Sequence, residues 1–147
     1  MKFCRIATVI IIIAALLIPA VTARERGDHR YIVTPAEEMT IEDSPSFTPM
    51  TDGSIRQGET DWFATYIPAG KTELIIDLDW GDTSNSLRLR IYAPDAVLGP
   101  YYDAYDGVDG RIYLRIKSSV GLHPGTWQFE VYGHQVTDTQ DYTIAWR

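Results

Sequence analysis

Cysteine is almost missing from this 147-residue sequence, and Cys4 is the single one. It precedes the apolar run near the start, so a lipid anchor on a cysteine following such a run is excluded. Past Cys4 the chain has no disulfide and no thiol nucleophile. Histidine is scarce too, with only His29, His123 and His134. None lies within metal-ligand spacing of another, and no His-Glu-x-x-His occurs. Gly-x-Ser-x-Gly is absent, which removes the nucleophile elbow of serine hydrolases. No glycine-rich phosphate loop follows a strand pattern. Beyond the N-terminal run, no segment sustains an i, i+3, i+4 apolar period, so helices are not expected. Cations are in deficit: 13 Lys and Arg stand against 20 Asp and Glu, a formal charge of −7. That balance argues against nucleic acid and anionic membrane surfaces as partners.

The N-terminus has the layout of a secretory signal peptide. Lys2 and Arg5 precede an apolar run from Ile6 to Ile18, Pro19 breaks it, and Val21-Thr22-Ala23 offers small residues for cleavage. The run is shorter than the ~20 residues of a spanning helix. The expectation is a leader at residues 1–23 and export, followed by a domain that does not touch the membrane. The alternative is an uncleaved leader anchoring the protein to the outer face of the membrane.

Residues 24–52 differ from the rest. They carry Pro35, Pro45 and Pro49, the acids Glu37, Glu38, Glu42 and Asp43, and few large apolar residues. This composition predicts a linker or loosely docked arm, with a short edge strand at Tyr31-Ile32-Val33. Arg26-Gly27-Asp28 spells a cell-adhesion tripeptide, a match too short to carry a function.

From residue 53 to 147 the chain reads strand, turn, strand. The stretch LIIDLDW, GDTSNS, LRLRIYAP sets the pattern. Leu74, Ile76, Leu78 and Trp80 fall on one side of a period of two, and Leu87, Leu89 and Ile91 repeat it. Further strands are predicted at 54–57, 62–67, 97–102, 111–117, 127–132 and 142–146, punctuated by Gly, Pro and Asp. Short alternating strands at regular spacing predict an all-β, antiparallel jelly-roll sandwich. Trp62, Trp80, Trp127 and Trp146 fall on the expected inward faces. The two strands of the central stretch admit two arrangements. As a direct hairpin with Trp80 opposite Leu87, Asp79 meets Arg88 and Asp77 meets Arg90. If instead residues 81–86 cross between sheets, those pairs never form.

Several runs match one family. Gly58-Glu59-Thr60-Asp61-Trp62-Phe63, Ile67-Pro68-Ala69-Gly70, Leu78-Asp79-Trp80 and Leu87-Arg88-Leu89-Arg90-Ile91-Tyr92-Ala93-Pro94-Asp95 come first. Gly125-Thr126-Trp127, Val131-Tyr132-Gly133 and Tyr142-Thr143-Ile144 follow. Together, from about Ser54 to Trp146, they resemble the bacterial pre-peptidase C-terminal domain. The resemblance implies a jelly-roll sandwich that accompanies secreted peptidases, related to collagen-binding domains of bacterial collagenases. Many members have Asp-Leu-Asp-Leu where this chain has Ser86-Leu87-Arg88-Leu89.

Two clusters are candidates for a site. Asp103, Asp106 and Asp109 crowd one Asp/Gly loop, which offers carboxylates and carbonyls of the kind calcium takes. The same residues are also ordinary turn formers that cap their own backbone. No other cofactor is implied. Tyr101, Tyr102 and Tyr105 sit beside that loop as candidate ligand-binding aromatics. The expectation is a secreted, monomeric, non-enzymatic accessory or binding module for extracellular protein or cell-surface material. The alternatives are a carbohydrate-binding module using those tyrosines, or a small hydrolase with a dispersed site.

Overall fold

A computed structural model describes residues 30–37 and 50–147. The expected leader, Arg26-Gly27-Asp28, His29 and most of the acidic patch of the arm lie outside the described residues. No helix occurs among those described, and so none long and apolar enough to cross a membrane. They form nine strands: β1 (Ile32–Pro35), β2 (Thr51–Ile55), β3 (Thr60–Ile67), β4 (Glu73–Asp79), β5 (Ser86–Ala93), β6 (Ala96–Tyr102), β7 (Arg111–Lys117), β8 (Gly125–Gln135) and β9 (Gln140–Trp146).

All pairings are antiparallel, and the strands form two sheets, ordered β1-β7-β4-β9-β2 and β3-β8-β5-β6. The sheets pack face to face as a β-sandwich. Among consecutive strands only β5 and β6 pair with each other; nearly every other connection passes from one sheet to the other. Jelly-roll connectivity of this kind places sequence neighbours in opposite layers.

Period-2 alternation explains the core. Leu74, Ile76 and Leu78 from β4 face Leu87, Leu89 and Ile91 from β5, with Ile112, Leu114, Trp127, Phe129, Val131 and Ile144 filling the layer. Burying such side chains stabilises the fold by ~1.5–3 kcal/mol each. Trp80, Trp127 and Trp146 are buried as the alternation predicts. Trp62 is not: it is 53% exposed. In β3 both phases of the alternation carry aromatics, Trp62 and Tyr66 on one and Phe63 on the other. The inward phase is the one bearing Phe63 and the buried Ile67, and on it Asp61 accepts a 2.6 Å hydrogen bond from the buried Tyr142 hydroxyl. Burial and that bond hold the Tyr142 phenol far above its usual range. Gly53 makes room for the ring, since a Cβ there would lie 2.3 Å from Tyr142 Cζ.

The central stretch does not form a hairpin. β4 lies in the five-stranded sheet and β5 in the four-stranded one. Asp77 therefore never meets Arg90; it takes a bidentate pair from Arg111 on β7, with Nε–Oδ1 and Nη2–Oδ2 both 2.8 Å. Arg88 pairs with Glu130 on β8. The crossing is fixed by a buried amide network. Asn85 Nδ2 donates to Gln140 Oε1 (2.7 Å), and Gln140 Nε2 donates to the Trp80 carbonyl (3.1 Å). Trp80 Nε1 donates to the Asn85 carbonyl (3.1 Å), and Asn85 Oδ1 accepts from the Thr137 amide (2.8 Å).

Part of the segment expected as an arm is structured. β1 extends the five-stranded sheet along β7, with Pro35 at its end, where a missing amide is tolerated. Tyr31 packs edge-on against Trp127 at 5.4 Å and donates to Asp95 (2.6 Å). Burial and that bond push its phenol up to about 12.

Two outcomes check this architecture. Trp127→Ala should cost ~3–5 kcal/mol and the exposed Gln128→Ala no more than ~0.5, read from urea midpoints. Similar midpoints would overturn the face assignment. In double-mutant cycles Asp77 should couple to Arg111 by ~0.2–1 kcal/mol. Asp77 and Arg90, on opposite outer faces, should be additive within ~0.5 kcal/mol.

Candidate functional site

The two outer faces of the sandwich differ in chemistry. The five-stranded sheet turns ionic groups outward. Arg111 pairs with Asp77, and Glu73 approaches Lys117 at 3.2 Å and Arg115 at 3.9 Å. At its β2–β9–β4 end an open groove of about 770 Å³ is lined by Asp52, Asp79 and Asp141 with Ser54 and Thr143. These carboxylates are not gathered: among the described residues no group of three or more His, Cys, Asp and Glu is placed to hold a metal.

The four-stranded sheet turns aromatic rings outward. Trp62 and Tyr66 project from β3, Tyr92 from β5, Tyr102 from β6 and Tyr132 from β8. Trp62 is 53%, Tyr66 68% and Tyr102 42% exposed. Strand pairing sets them in rows: Trp62 opposite Glu130, which is opposite Arg90, and Tyr132 opposite Arg88, which is opposite Tyr102. The rings are held. Trp62 lies 5.4 Å from Tyr92 at a 42° tilt, and the Arg88 guanidinium stacks 4.2 Å over Tyr132. Tyr92 donates to Glu130 Oε2 (2.8 Å), and Arg90 reaches the Tyr92 hydroxyl at 3.5 Å. Arg88 donates to the other oxygen of Glu130. Burial alone would raise the Glu130 carboxyl, but the bonds from Tyr92 and Arg88 and the two guanidinium charges outweigh it and hold the group below its ordinary value.

The tyrosine cluster read from the sequence is divided by strand alternation. Tyr102 belongs to the outer face, where its ring meets His134 edge-on at 4.9 Å. Tyr101 points the other way and is 8% exposed, within the core. Tyr105, in the following loop, packs against Tyr101 at 4.8 Å instead of joining Tyr102. Trp62, Tyr66, Tyr92 and Tyr132 were not read as site residues. Their signal was present as the polar phase of β3, β5 and β8, which carries aromatics where charges are usual.

In the acidic loop, Asp103 Oδ1 accepts from the amides of Ala104 and Gly110, both at 2.9 Å. Asp106 accepts from Val108 (3.1 Å) and, through its other oxygen, from Tyr113 (2.8 Å). Asp109 is exposed. Two of the three carboxylates thus cap backbone amides of their own turn and of β7. Gly110, at φ +82°, lies against Gly81, where a Cβ would come within 3.1 Å of the Gly81 carbonyl carbon. Of the histidines, His123 Nδ1 lies 2.8 Å from the Pro124 carbonyl oxygen, and His134 packs on Tyr102.

No family model matches the chain. Over 41 residues it is 39% identical to an uncharacterized protein of Archaeoglobus fulgidus, a match taking in 28% of this chain and 56% of that protein. The chain thus spans about half the length of the curated relative it matches.

The Glu130 network has a pH signature. Its contribution to stability is fully present above the ordinary carboxyl value of 4.5 and is lost as pH falls through the lowered folded value. Glu130→Gln should lower the urea midpoint at neutral pH, with the gap to wild type narrowing as pH falls below 4.5. A gap that stays constant with pH would show that the charge of Glu130 contributes nothing.

Proposed function

We propose that this protein is a secreted, non-catalytic binding module that acts on extracellular protein or cell-surface material. Its recognition surface is the outer face of the four-stranded sheet. The observation that carries this reading is the group of large rings left in water on one face: Trp62, Tyr66 and Tyr102 are each more than two-fifths exposed. Exposed aromatics grouped on one surface mark interaction sites, and Trp and Tyr dominate binding energies. Support for an accessory role comes from the resemblance of Ser54–Trp146 to the pre-peptidase C-terminal domain. The leader-like N-terminus supports export.

Cell envelopes prepared from the source organism test it by co-sedimentation. The double variant Trp62→Ala/Tyr66→Ala should still fold and unfold in one cooperative urea transition, because neither side chain belongs to the core. It should lose envelope binding, since one aromatic hot spot is worth ~2 kcal/mol, or about thirtyfold in Kd. Wild type and variant binding alike would overturn this reading of the face.

A further inference from the structure

We infer that the ligand of this aromatic face is an uncharged polysaccharide, bound by stacking of its sugar rings on Trp62, Tyr66, Tyr92 and Tyr102. The inference rests on the reading of that face as the recognition surface. Three observations select the ligand.

The first is the mixture of groups. A pyranose ring presents apolar C–H faces and a rim of hydroxyls. It is matched by flat aromatic rings interleaved with planar donors and acceptors. Here the exposed rings of β3 and β6 flank a central band formed by Gln128 and Glu130 of β8 with Arg88 and Arg90 of β5. The centre of a dry protein interface is depleted of charged groups. On this face the charged groups are central, interleaved with Tyr92 and Tyr132 and flanked by the exposed rings of β3 and β6.

The second is charge. The chain carries a formal −7, and on this face Arg88 is already paired with the one carboxylate, Glu130. Arg88 pairs with Glu130 and stacks on Tyr132, and Arg90 reaches the Tyr92 hydroxyl. Arg90 is then the one surplus cation on the face of an acidic chain, too little to hold an anionic chain. Arg90 and the exposed Gln128 instead offer hydrogen bonds to neutral hydroxyls.

The third is extent. Trp62 and Tyr66 are four residues apart on β3, which is ~13 Å at ~3.3 Å per residue. Tyr102 lies across the sheet on β6, three strand spacings or ~14 Å away. A single sugar cannot span those rings, whereas several linked sugars can.

Affinity electrophoresis tests this, with neutral polysaccharides (hydroxyethylcellulose, galactomannan, glycogen) and anionic ones (alginate, heparin) cast in the gels. The wild-type protein should be retarded in at least one neutral gel. The retardation should persist at about 1 M NaCl, where the screening length is ~3 Å. Trp62→Ala should weaken it at least tenfold, Trp62→Phe should retain most of it, and Asp141→Ala, on the opposite face, should leave it unchanged. No retardation in any neutral gel, retardation indifferent to Trp62→Ala, or retardation confined to anionic gels and erased by salt would each overturn the inference. Periodate, which cleaves the vicinal diols of sugars, separates this failure from failure of the reading beneath it. Envelope binding that requires Trp62 and Tyr66, survives periodate and is abolished by protease would leave the recognition face standing with a protein as its ligand. Envelope binding that ignores Trp62 and Tyr66 would remove the face itself.

Discussion

The sandwich depends on how its crossing connections are held, and the buried amide pair Asn85–Gln140 holds two of them at once. Asn85 lies in the passage from β4 to β5, and Gln140 follows the passage from β8 to β9. Their side chains bond to each other, to the Trp80 carbonyl and to the Thr137 amide. Both residues are buried. Unpaired amides at such a place would cost ~1–3 kcal/mol apiece, so the network is stable only when every member is present. That all-or-none character ties the end of one sheet to the other. Two residues along β9, the Tyr142–Asp61 bond to β3 ties the layers a second time.

Once the layers are fixed, the two outer faces follow from strand phase alone, and they diverge. One presents ion pairs and an acidic groove, the other presents rings. Within the aromatic face, Glu130 is the organising group, because it receives both Tyr92 and Arg88 while Arg88 covers Tyr132. Side chains already immobilised in the free protein lose little entropy on binding, so a pre-ordered platform favours affinity. Arg88 and Arg90 against the single carboxylate Glu130 also leave this face without net negative charge, which separates it from the rest of an acidic protein.

The strands, their antiparallel character and most of the core were legible in the sequence. In β4, β5 and β7 one phase is uniformly aliphatic, and in β8 it is Trp127, Phe129 and Val131, so hydrophobic burial selects it. Trp62 was illegible for the complementary reason. Both phases of β3 are apolar enough to be buried, and the one taken inward carries Phe63 and Ile67 together with Asp61, whose partner Tyr142 comes from the other sheet. The site suffered likewise. Tyr101, Tyr102 and Tyr105 are neighbours in the chain, but a strand sends successive residues to opposite faces. The rings that do share a face come from four strands spread between residues 62 and 132.

The sequence by itself determined the all-β class, the positions of most strands though not of β2, which was expected at 54–57 and lies at Thr51–Ile55, the buried aliphatic layer and the absence of a recognisable catalytic motif. Each is a local property, carried by period-2 alternation, by turn residues, or by residues that are simply missing. Tertiary structure alone decided that the central stretch crosses between sheets, that Asp77 belongs to Arg111, and that Trp62, Tyr66, Tyr92, Tyr102 and Tyr132 lie on one surface. Those are non-local facts. They depend on which strand lies beside which, and that order is set by packing and buried hydrogen bonds between segments many residues apart.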